Sequence, residues 1–444
     1  MQRASPIFRG PRTFRTPSGQ HGRTMENMLV QGIIAEYNPF HNGHFHHLTA
    51  SAAAAGATHT VCVLSGHFVQ RGEPSVCSKA ARTEMALRCG SDLVLELPAA
   101  FSCASAESFA AGAVATLDAT GIVDVLSFGS EAGSLASLEA VAIVLADEPE
   151  GFRAWLRTFL DTGMSFPAAR QAAFEKWAGP SIDSHVLDNP NNILGIEYLK
   201  ALRRRGSRMK PLTIPRVGRG YNDPVMEDAF PSAAAIRASL IGGEFPGDAT
   251  PAAGMPEASS SILIRELAAG RAPVSADGFL PTLLQRLRTA TDCELASLPW
   301  MEQGLHNRLR SAAADACTFS GVVDAAASSR YPRTRIQRML CALLTGMPGT
   351  FPGELADAGH AQYIRILGFT DRGRELLAVM KHTAVLPVLG KASQWGLLRN
   401  PLAKRLLELE CRASDTWVLA CRDRADRRSG QEFRRVPLYL RTLP

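Results

Sequence analysis

A chain of 444 residues exceeds what one hydrophobic core accommodates and calls for two or three domains. Its 46% apolar and 20% charged residues give a globular rather than a disordered composition, and no apolar run approaches the roughly 20 residues of a membrane-spanning helix; the richest, Leu93 to Phe101, is broken by Glu96 and Pro98. The net charge of +6, with arginine clustered in the second half, suits phosphate partners, and nine cysteines without a CxxC pair spell out neither a disulfide framework nor a zinc site, as expected of a cytoplasmic protein.

Residues 1 to 27 carry Arg3, Arg9, Arg12, Arg15 and Arg23, no acid before Glu26 and no apolar segment of the secretory kind, so a disordered leader is expected, with a transit peptide as the alternative. Leu29 to Glu36 is an apolar run of strand length ending at Tyr37-Asn38-Pro39, and a helical stretch from Gly43 to Ala55 follows. Thr60 to Ser65 reads as a strand, Ser78 to Cys89 as a helix with Ser78 at its N-cap and Gly90 past its end, and Leu93 to Leu97 as a strand. Ala104 to Ala119 then reads as a helix and Val123 to Phe128 as a strand ended by Gly129. Such alternation predicts right-handed crossovers, a parallel sheet with helices on both faces, and ligands at the carboxyl ends of its strands.

Gly242 to Ser261, rich in Gly, Pro, Ala and Ser, reads as a linker. Beyond it Ile262 to Ala269, Phe279 to Ala290, Met301 to Cys317, Arg333 to Leu344, Tyr363 to Leu367 and Arg372 to Met380 read as mostly helical. The division expected is a leader over 1–27, an α/β domain over 28–245, a linker over 246–261 and a mainly α-helical domain over 262–444.

His41 and His44 stand three apart at the mouth of the first helix, where they share one face with unsatisfied backbone N–H groups. The helix terminus contributes roughly 0.3 to 1 kcal/mol towards a nearby negative charge, whereas a positioned donor in a dry site contributes roughly 2.7 to 4 kcal/mol in a transition state. The imidazoles therefore outweigh the helix end, and Gly43 between them leaves the backbone open to close approach. Attack on the α-phosphate of ATP needs no protein nucleophile, only stabilisation of spreading charge and in-line geometry. A pair of helix-capping or core histidines is the alternative for a bare His-x-Gly-His pattern.

The segment Gly32-Ile33-Ile34-Ala35-Glu36-Tyr37-Asn38-Pro39-Phe40-His41-Asn42-Gly43-His44 resembles the opening signature of the HxGH nucleotidyltransferase superfamily. More narrowly, the chain resembles the tRNA(Met) cytidine acetate ligase family through Leu64-Ser65-Gly66-His67-Phe68-Val69-Gln70-Arg71-Gly72-Glu73-Pro74, Ser78-Lys79 with Arg82, Leu95-Glu96-Leu97-Pro98, Phe128-Gly129-Ser130-Glu131 and Asn191-Asn192-Ile193-Leu194-Gly195. The likeness continues at Glu302-Gln303-Gly304-Leu305, Arg330 to Arg338 and Arg365-Ile366-Leu367-Gly368-Phe369.

This resemblance implies a Rossmann-like nucleotide domain followed by a helical tRNA-binding domain. It implies an enzyme that makes acetyl-adenylate from acetate and ATP, then acetylates the wobble cytidine of elongator tRNA(Met), with Mg²⁺ arriving on ATP. His41 and His44 would be catalytic. ATP would lie along Ile34 to His47, thus also against Phe45, His46 and His47, with further contacts from Gly129, one of Asn191 and Asn192, Arg216 and Val217. One departure stands out: where the superfamily places a Ser/Thr-rich turn before Ile-Arg, this chain has Ser232-Ala233-Ala234-Ala235-Ile236-Arg237, so two hydroxyls are missing.

Arg204 in the run Arg203 to Arg205, and Arg333, Arg335 and Arg338, are the candidate contacts to the tRNA backbone, with Tyr331 as a base-stacking candidate; solvated helix faces are the alternative. Lys79 and Arg82 read as phosphate or RNA contacts or as solvated cations. His67, Gln70 and Arg71 read as acetate or tRNA contacts or as a structural turn, and His46 and His47 as packed or solvent-facing. Two other functions remain open: a nucleotidyltransferase that adenylylates a small phosphorylated metabolite, and an RNA-binding protein with a degenerate nucleotide site.

Overall fold

The computed structural model describes residues 28–179, 184–216, 231–242 and 254–441. The expected leader, Val217 and linker residues 246–253 lie outside the described residues. Strand β1 (Val30–Ala35) runs into helix α1 (Asn42–Ala55), followed by β2 (His59–Ser65), α2 (Lys79–Arg88), β3 (Leu93–Leu97), α3 (Ala106–Thr120) and β4 (Val125–Ser130). Then come α4 (Leu135–Asp147), α5 (Pro190–Arg205), β5 (Lys210–Pro215), α6 (Ala233–Gly242), α7 (Glu257–Ala268), α8 (Arg333–Thr345), β6 (Ile364–Thr370), α9 (Asp371–Thr383), α10 (Pro401–Trp417) and β7 (Leu438–Leu440).

The local signals explain these boundaries. Ser78 caps α2 by accepting from the Ala81 amide, and Gly56 ends α1 in the left-handed region at φ 65°. Strands β2 and β3 are fully buried, so they read as near-continuous apolar runs. Alternate residues serve opposite faces: Val61, Val63, Leu93 and Leu95 pack with Phe109, Ala113 and Leu117 of α3, while Cys62, Leu64 and Val94 meet Met85 and Ala86 of α2 and Ile262 and Leu263 of α7.

The sheet order is β7-β6-β3-β2-β1-β4-β5. Strands β3, β2, β1, β4 and β5 are parallel in succession, β6 is antiparallel to β3, and β7 is parallel to β6. The chain leaves β1 towards β2 and β3 on one side and returns to β4 on the other. That reversal opens a crevice at the carboxyl ends of β1 and β4, the place where α/β sheets bind ligands.

Two sequence expectations need correction. Tyr363 to Leu367 is not helical but enters β6, which covers the outer edge of β3 with Leu95 opposite Ile366. A run too short to sustain a helix takes the extended form because an unpaired strand edge awaits it, and that edge lies far away in sequence. The last residues of the expected linker, 257–261, are the first turns of α7, where the Ser259 hydroxyl donates to the Phe40 carbonyl at 2.8 Å.

Beyond α7, helices Leu280–Thr289, Leu305–Asp315 and Phe319–Ala326 pack with α8 around a separate core that includes Leu309, Val323, Ile336 and Leu340. The sheet and its flanking α2 are joined to α10 and the C-terminal segment by buried polar ties. Lys79, only 1% exposed, pairs with Glu96 of β3, with Glu410 of α10 at 2.8 Å and with Glu432 at 2.9 Å, and Arg365 of β6 holds Glu432 at 2.7 Å. Burial opposes the ammonium charge, yet the three carboxylates hold Lys79 above its usual range. Arg82 is equally buried and donates to the carbonyls of Glu36 (2.7 Å), Ser65 (3.0 Å), Gly66 and Cys77 (3.3 Å). Both cations are thus structural, not exposed on a helix face. Lys79→Met would remove the cation shared by three buried carboxylates, leaving Glu432 alone with Arg365, and is expected to lower unfolding free energy by about 3 to 5 kcal/mol; a denaturant midpoint close to that of the parent chain would contradict this role.

Candidate active site

The loop between β1 and α1 is shaped by a few buried contacts. Tyr37 occupies the left-handed region at φ 45°, uncommon for an aromatic residue, and its ring packs edge-on against Phe40 at 4.5 Å and His44 at 4.9 Å. The Asn38 side-chain oxygen accepts from the Val76 amide at 2.7 Å, and Arg237 donates to the Asn38 carbonyl at 2.9 Å. These ties deliver His41 to the N-cap of α1.

There the backbone fixes both imidazoles. The Gly43 amide donates to His41 Nδ1 at 3.0 Å, the His41 amide donates to His44 Nδ1 at 3.3 Å, and the two rings stack 3.7 Å apart. With Nδ1 an acceptor in each ring, a neutral imidazole carries its proton on Nε2. Gly43 serves this packing directly: a Cβ there would lie 2.9 Å from His41 Cε1 and displace the ring.

The rings are neutral for a physical reason. Burial, then Arg216 and Arg237, pushes His41 down to about 3; burial, then His41 and Arg216, holds His44 well below the usual range; burial, then Arg216, pushes His47 down to about 4. His47 Nε2 is buried with no hydrogen-bond partner among the described residues.

These groups line a cavity of about 180 Å³ at the carboxyl ends of β1 and β4. Ile34, Ala35 and Glu36 form one wall with Tyr37 and Asn38; His41, Gly43, His44, His46 and His47 come from α1, Gly129 from β4, and Arg216 from the end of β5. Asn191 is the member of its pair that faces the cavity, accepting from Arg216 at 3.2 Å and donating to Glu131 at 2.6 Å. Asn192 is 2% exposed and accepts from the Ala132 amide at 3.0 Å, so it holds the loop after β4. Ser232 caps α6 by accepting from the Ala235 amide at 3.0 Å, and Ala233 and Ala234 bring methyl groups to the cavity where hydroxyls were expected.

Several expected residues stand apart. Pro39 and Phe40 are buried behind the loop, and neither they nor Asn42 lines the cavity; Phe45 is 43% exposed. Leu194 and Tyr198, which do line it, were missed, although their spacing from Asn191 places all three on one helical face. Glu36 accepts from the Gln70 amide at 2.8 Å, and burial pushes its carboxyl above the usual range. Gln70 joins the cavity, whereas His67 is fully buried, stacked on Trp417 at 4.7 Å and bonded to Ser414 at 3.0 Å.

Residues 28–432 match the model of the HIGH Nucleotidyl Transferase family. The tRNA(Met) cytidine acetate ligases of Acetivibrio thermocellus and Syntrophotalea carbinolica are 43% and 42% identical to this chain, covering 91% and 88% of it and 98% and 94% of their own lengths. The apo crystal structure of Thermotoga maritima TmcAL gives a TM-score of 0.89 at 33% identity, over 94% of this chain and 100% of that one. The form of that protein bound with alpha-thio ATP gives 0.87 at the same identity and coverage. This chain belongs to the tRNA(Met) cytidine acetate ligase family.

In this family member the candidate tRNA arginines fall into two places. Arg204 pairs with Glu107 at 2.7 Å, and thirteen residues of helix separate it from Asn191, about 20 Å along α5. Arg333, Arg335 and Arg338 share the first turns of α8. Arg333 pairs with Asp324, Arg335 with Glu302 at 2.7 Å, and Arg338 donates to the Gln70 carbonyl at 3.4 Å. The basic end of α8 therefore rests on the loop whose Gln70 borders the cavity. Tyr331 is 9% exposed and its hydroxyl donates to Glu302 at 3.1 Å, which removes it as a stacking platform.

The lowered histidine values have a stability consequence. Between about pH 3 and 6.5 the unfolded chain binds a proton at His41 that the folded chain refuses, so stability present above pH 6.5 is lost as pH falls. From pH 7.5 to 5 this group alone removes about 2 kcal/mol. His41→Asn, which keeps a capping oxygen, is expected to lose that much less over the same interval in urea titrations; equal pH slopes for the two chains would contradict the assignment.

Proposed function

We propose that this chain joins acetate and ATP into acetyl-adenylate and passes the acetyl group to N4 of the wobble cytidine of elongator tRNA(Met). The observation that carries this reading is the pair of stacked, neutral imidazoles whose tautomers are set by backbone amides beside Arg216 and Asn191 in one cavity. Such fixed donors stabilise charge that develops on a phosphate and need no reorganisation during the reaction.

In the first step an acetate oxygen attacks the α-phosphorus, the bond to the β-phosphate oxygen breaks, and pyrophosphate leaves. His41 and His44 donate from Nε2 to the α-phosphate oxygens, His47 adds a third donor, and Arg216 takes a further phosphate by its guanidinium fork. The triphosphate's Mg²⁺ enters as part of the substrate. In the second step N4 attacks the acetyl carbon, the carbon–oxygen bond to AMP breaks, and N4 gives up a proton. Ile34 to Glu36, Asn191 and Gly129 border the nucleotide, while Arg333, Arg335 and Arg338 at the neighbouring end of α8 position the anticodon arm. Arg204 is the outlying contact. Among the described residues no helix is long and apolar enough to cross a membrane, and we place the reaction in the cytoplasm.

An enzyme that adenylylates a small phosphorylated metabolite would have no use for the basic end of α8 seated beside the cavity. A degenerate nucleotide site fits poorly with imidazoles held in one tautomer by the backbone.

With ATP, labelled acetate and bulk tRNA, the chain is expected to label elongator tRNA(Met) and release AMP; pyrophosphate release that needs neither acetate nor tRNA points to the metabolite enzyme. His44→Ala is expected to lower kcat by about 10² to 10³ while the far-ultraviolet circular-dichroism spectrum stays that of the folded parent, and a fully active, folded variant would remove the assigned role. Gly129→Ala tests the nucleotide's position. Its added methyl meets Arg216 Cγ at 3.4 Å and His47 Cδ2 at 3.9 Å, ordinary contacts that the fold tolerates. A raised KM for ATP at unchanged stability is expected, and an unchanged KM would place the nucleotide elsewhere.

A further inference from the structure

A second, larger cavity, about 520 Å³, opens between α2, α7, β6 and the C-terminal segment, and it shares no lining residue with the first. Arg82 stands between them, bonded to the carbonyl of Glu36 in the first cavity's wall and to that of Cys77 next to Ser78 in the second's. Three of the segments that carry the family resemblance, Ser78-Lys79, Leu95-Glu96-Leu97 and Arg365-Ile366-Leu367, converge on the second cavity or the charges beneath it, and nothing in the acetylation reaction uses them.

Its floor is built from ions. Lys79, Arg365 and Glu432 line it, with Glu96 and Glu410 packed underneath. Arg365 is 2% exposed, and only its Nη2 has an acceptor, Glu432 at 2.7 Å; its Nε and Nη1 have no hydrogen-bond partner among the described residues. Arg435 Nη1 is also buried without one, 3.9 Å from Glu432. Arg365 Nε stands 3.8 Å from Glu96 Oε2, an acceptor that is itself without a partner, which leaves the Nη1 donors of Arg365 and Arg435 asking for an acceptor from beyond the described residues.

Lys79, Arg365 and Arg435 face Glu96, Glu410 and Glu432, and both Glu410 oxygens are already engaged, by the Lys79 ammonium at 2.8 Å and the Ala99 amide at 2.7 Å. The walls differ in kind: Trp417, Ile366, Leu367 and Leu438 are apolar, and the Trp417 indole N–H is already engaged by the Ser75 carbonyl at 2.9 Å. Rim cations Arg265 and Arg271 are likewise engaged, by Glu84 and Glu266.

We propose that this second cavity binds a compact organic anion, with its oxyanion head on Arg365 and Arg435 and its apolar body against Trp417 and Leu438. A carboxylate and a phosphate monoester offer the same head, and the probes separate them. Because the floor ties α2 and β3 to α10 and Glu432, an occupant also braces the junction between the sheet and the C-terminal segment.

The test is titration calorimetry on the full chain with benzoate, phenyl phosphate, acetate and inorganic phosphate. Benzoate or phenyl phosphate is expected to bind one to one, to quench Trp417 fluorescence, and to raise the melting temperature; acetate and inorganic phosphate, lacking the body, bind more weakly. Saturating ATP and His44→Ala leave the binding unchanged, which separates this site from the reaction. Arg435→Leu is expected to weaken it about tenfold, the effect of one charged hydrogen bond, and Trp417→Phe abolishes the quenching while binding persists. The proposal is overturned by absence of saturable binding of either aromatic probe up to about 10 mM, a range still weaker than a 1 mM site, by competition from ATP, or by an Arg435→Leu chain that binds as well as the parent.

Discussion

Two backbone amides at the mouth of α1 direct their hydrogens to imidazole nitrogens, and the rest of the site follows from that. Helix N-termini ordinarily satisfy such amides with a serine or aspartate oxygen. Here the capping acceptors are the histidines themselves, so the act of starting the helix also sets each ring's tautomer and turns its other nitrogen into a donor. The price is burial, which drives the rings neutral; the return is a pair of oriented N–H groups aimed by the backbone.

A local device of this kind works only if the surrounding loop cannot relax. Arg82 draws together carbonyls from the ends of β1 and β2 and from the segment before α2, and Arg237 holds the Asn38 carbonyl from α6. These ties use charge-assisted hydrogen bonds in a dry interior, where they are strong and leave little freedom. Farther out, Lys79 ties α2 to β3 and to the C-terminal segment through Glu96, Glu410 and Glu432. The sheet tells the same story, because β6 and β7 extend it beyond β3.

Much of this was legible residue by residue. Strands buried on both faces announce themselves as apolar runs, and the cap at Ser78 marks a helix start through chemistry confined to a few neighbours. The site was legible because a strand, a loop and a helix in direct succession place His41, Gly43 and His44 without help from elsewhere. What was not legible depended on distant partners. Tyr363 to Leu367 took the extended form because β3 has an edge to cover, and Lys79 and Arg82 went inside because acids and carbonyls from other segments meet them there. Asn191 and Asn192 are adjacent and chemically alike, so only the rotation of α5 against β4 tells the cavity-facing amide from the structural one.

In the proposed reaction the His41 and His44 Nε2–H groups meet the α-phosphate while Nδ1 of each ring stays bonded to the backbone. Nitrogen-15 spectra of histidine-labelled protein, recorded with and without alpha-thio ATP, test this most directly. The Nε2 signals of both rings are expected to move on nucleotide addition, as protonated donors entering new hydrogen bonds, while both Nδ1 signals keep the shifts of an unprotonated acceptor. Nucleotide binding that leaves the two Nε2 signals in place, or that reverses the tautomers, would contradict it.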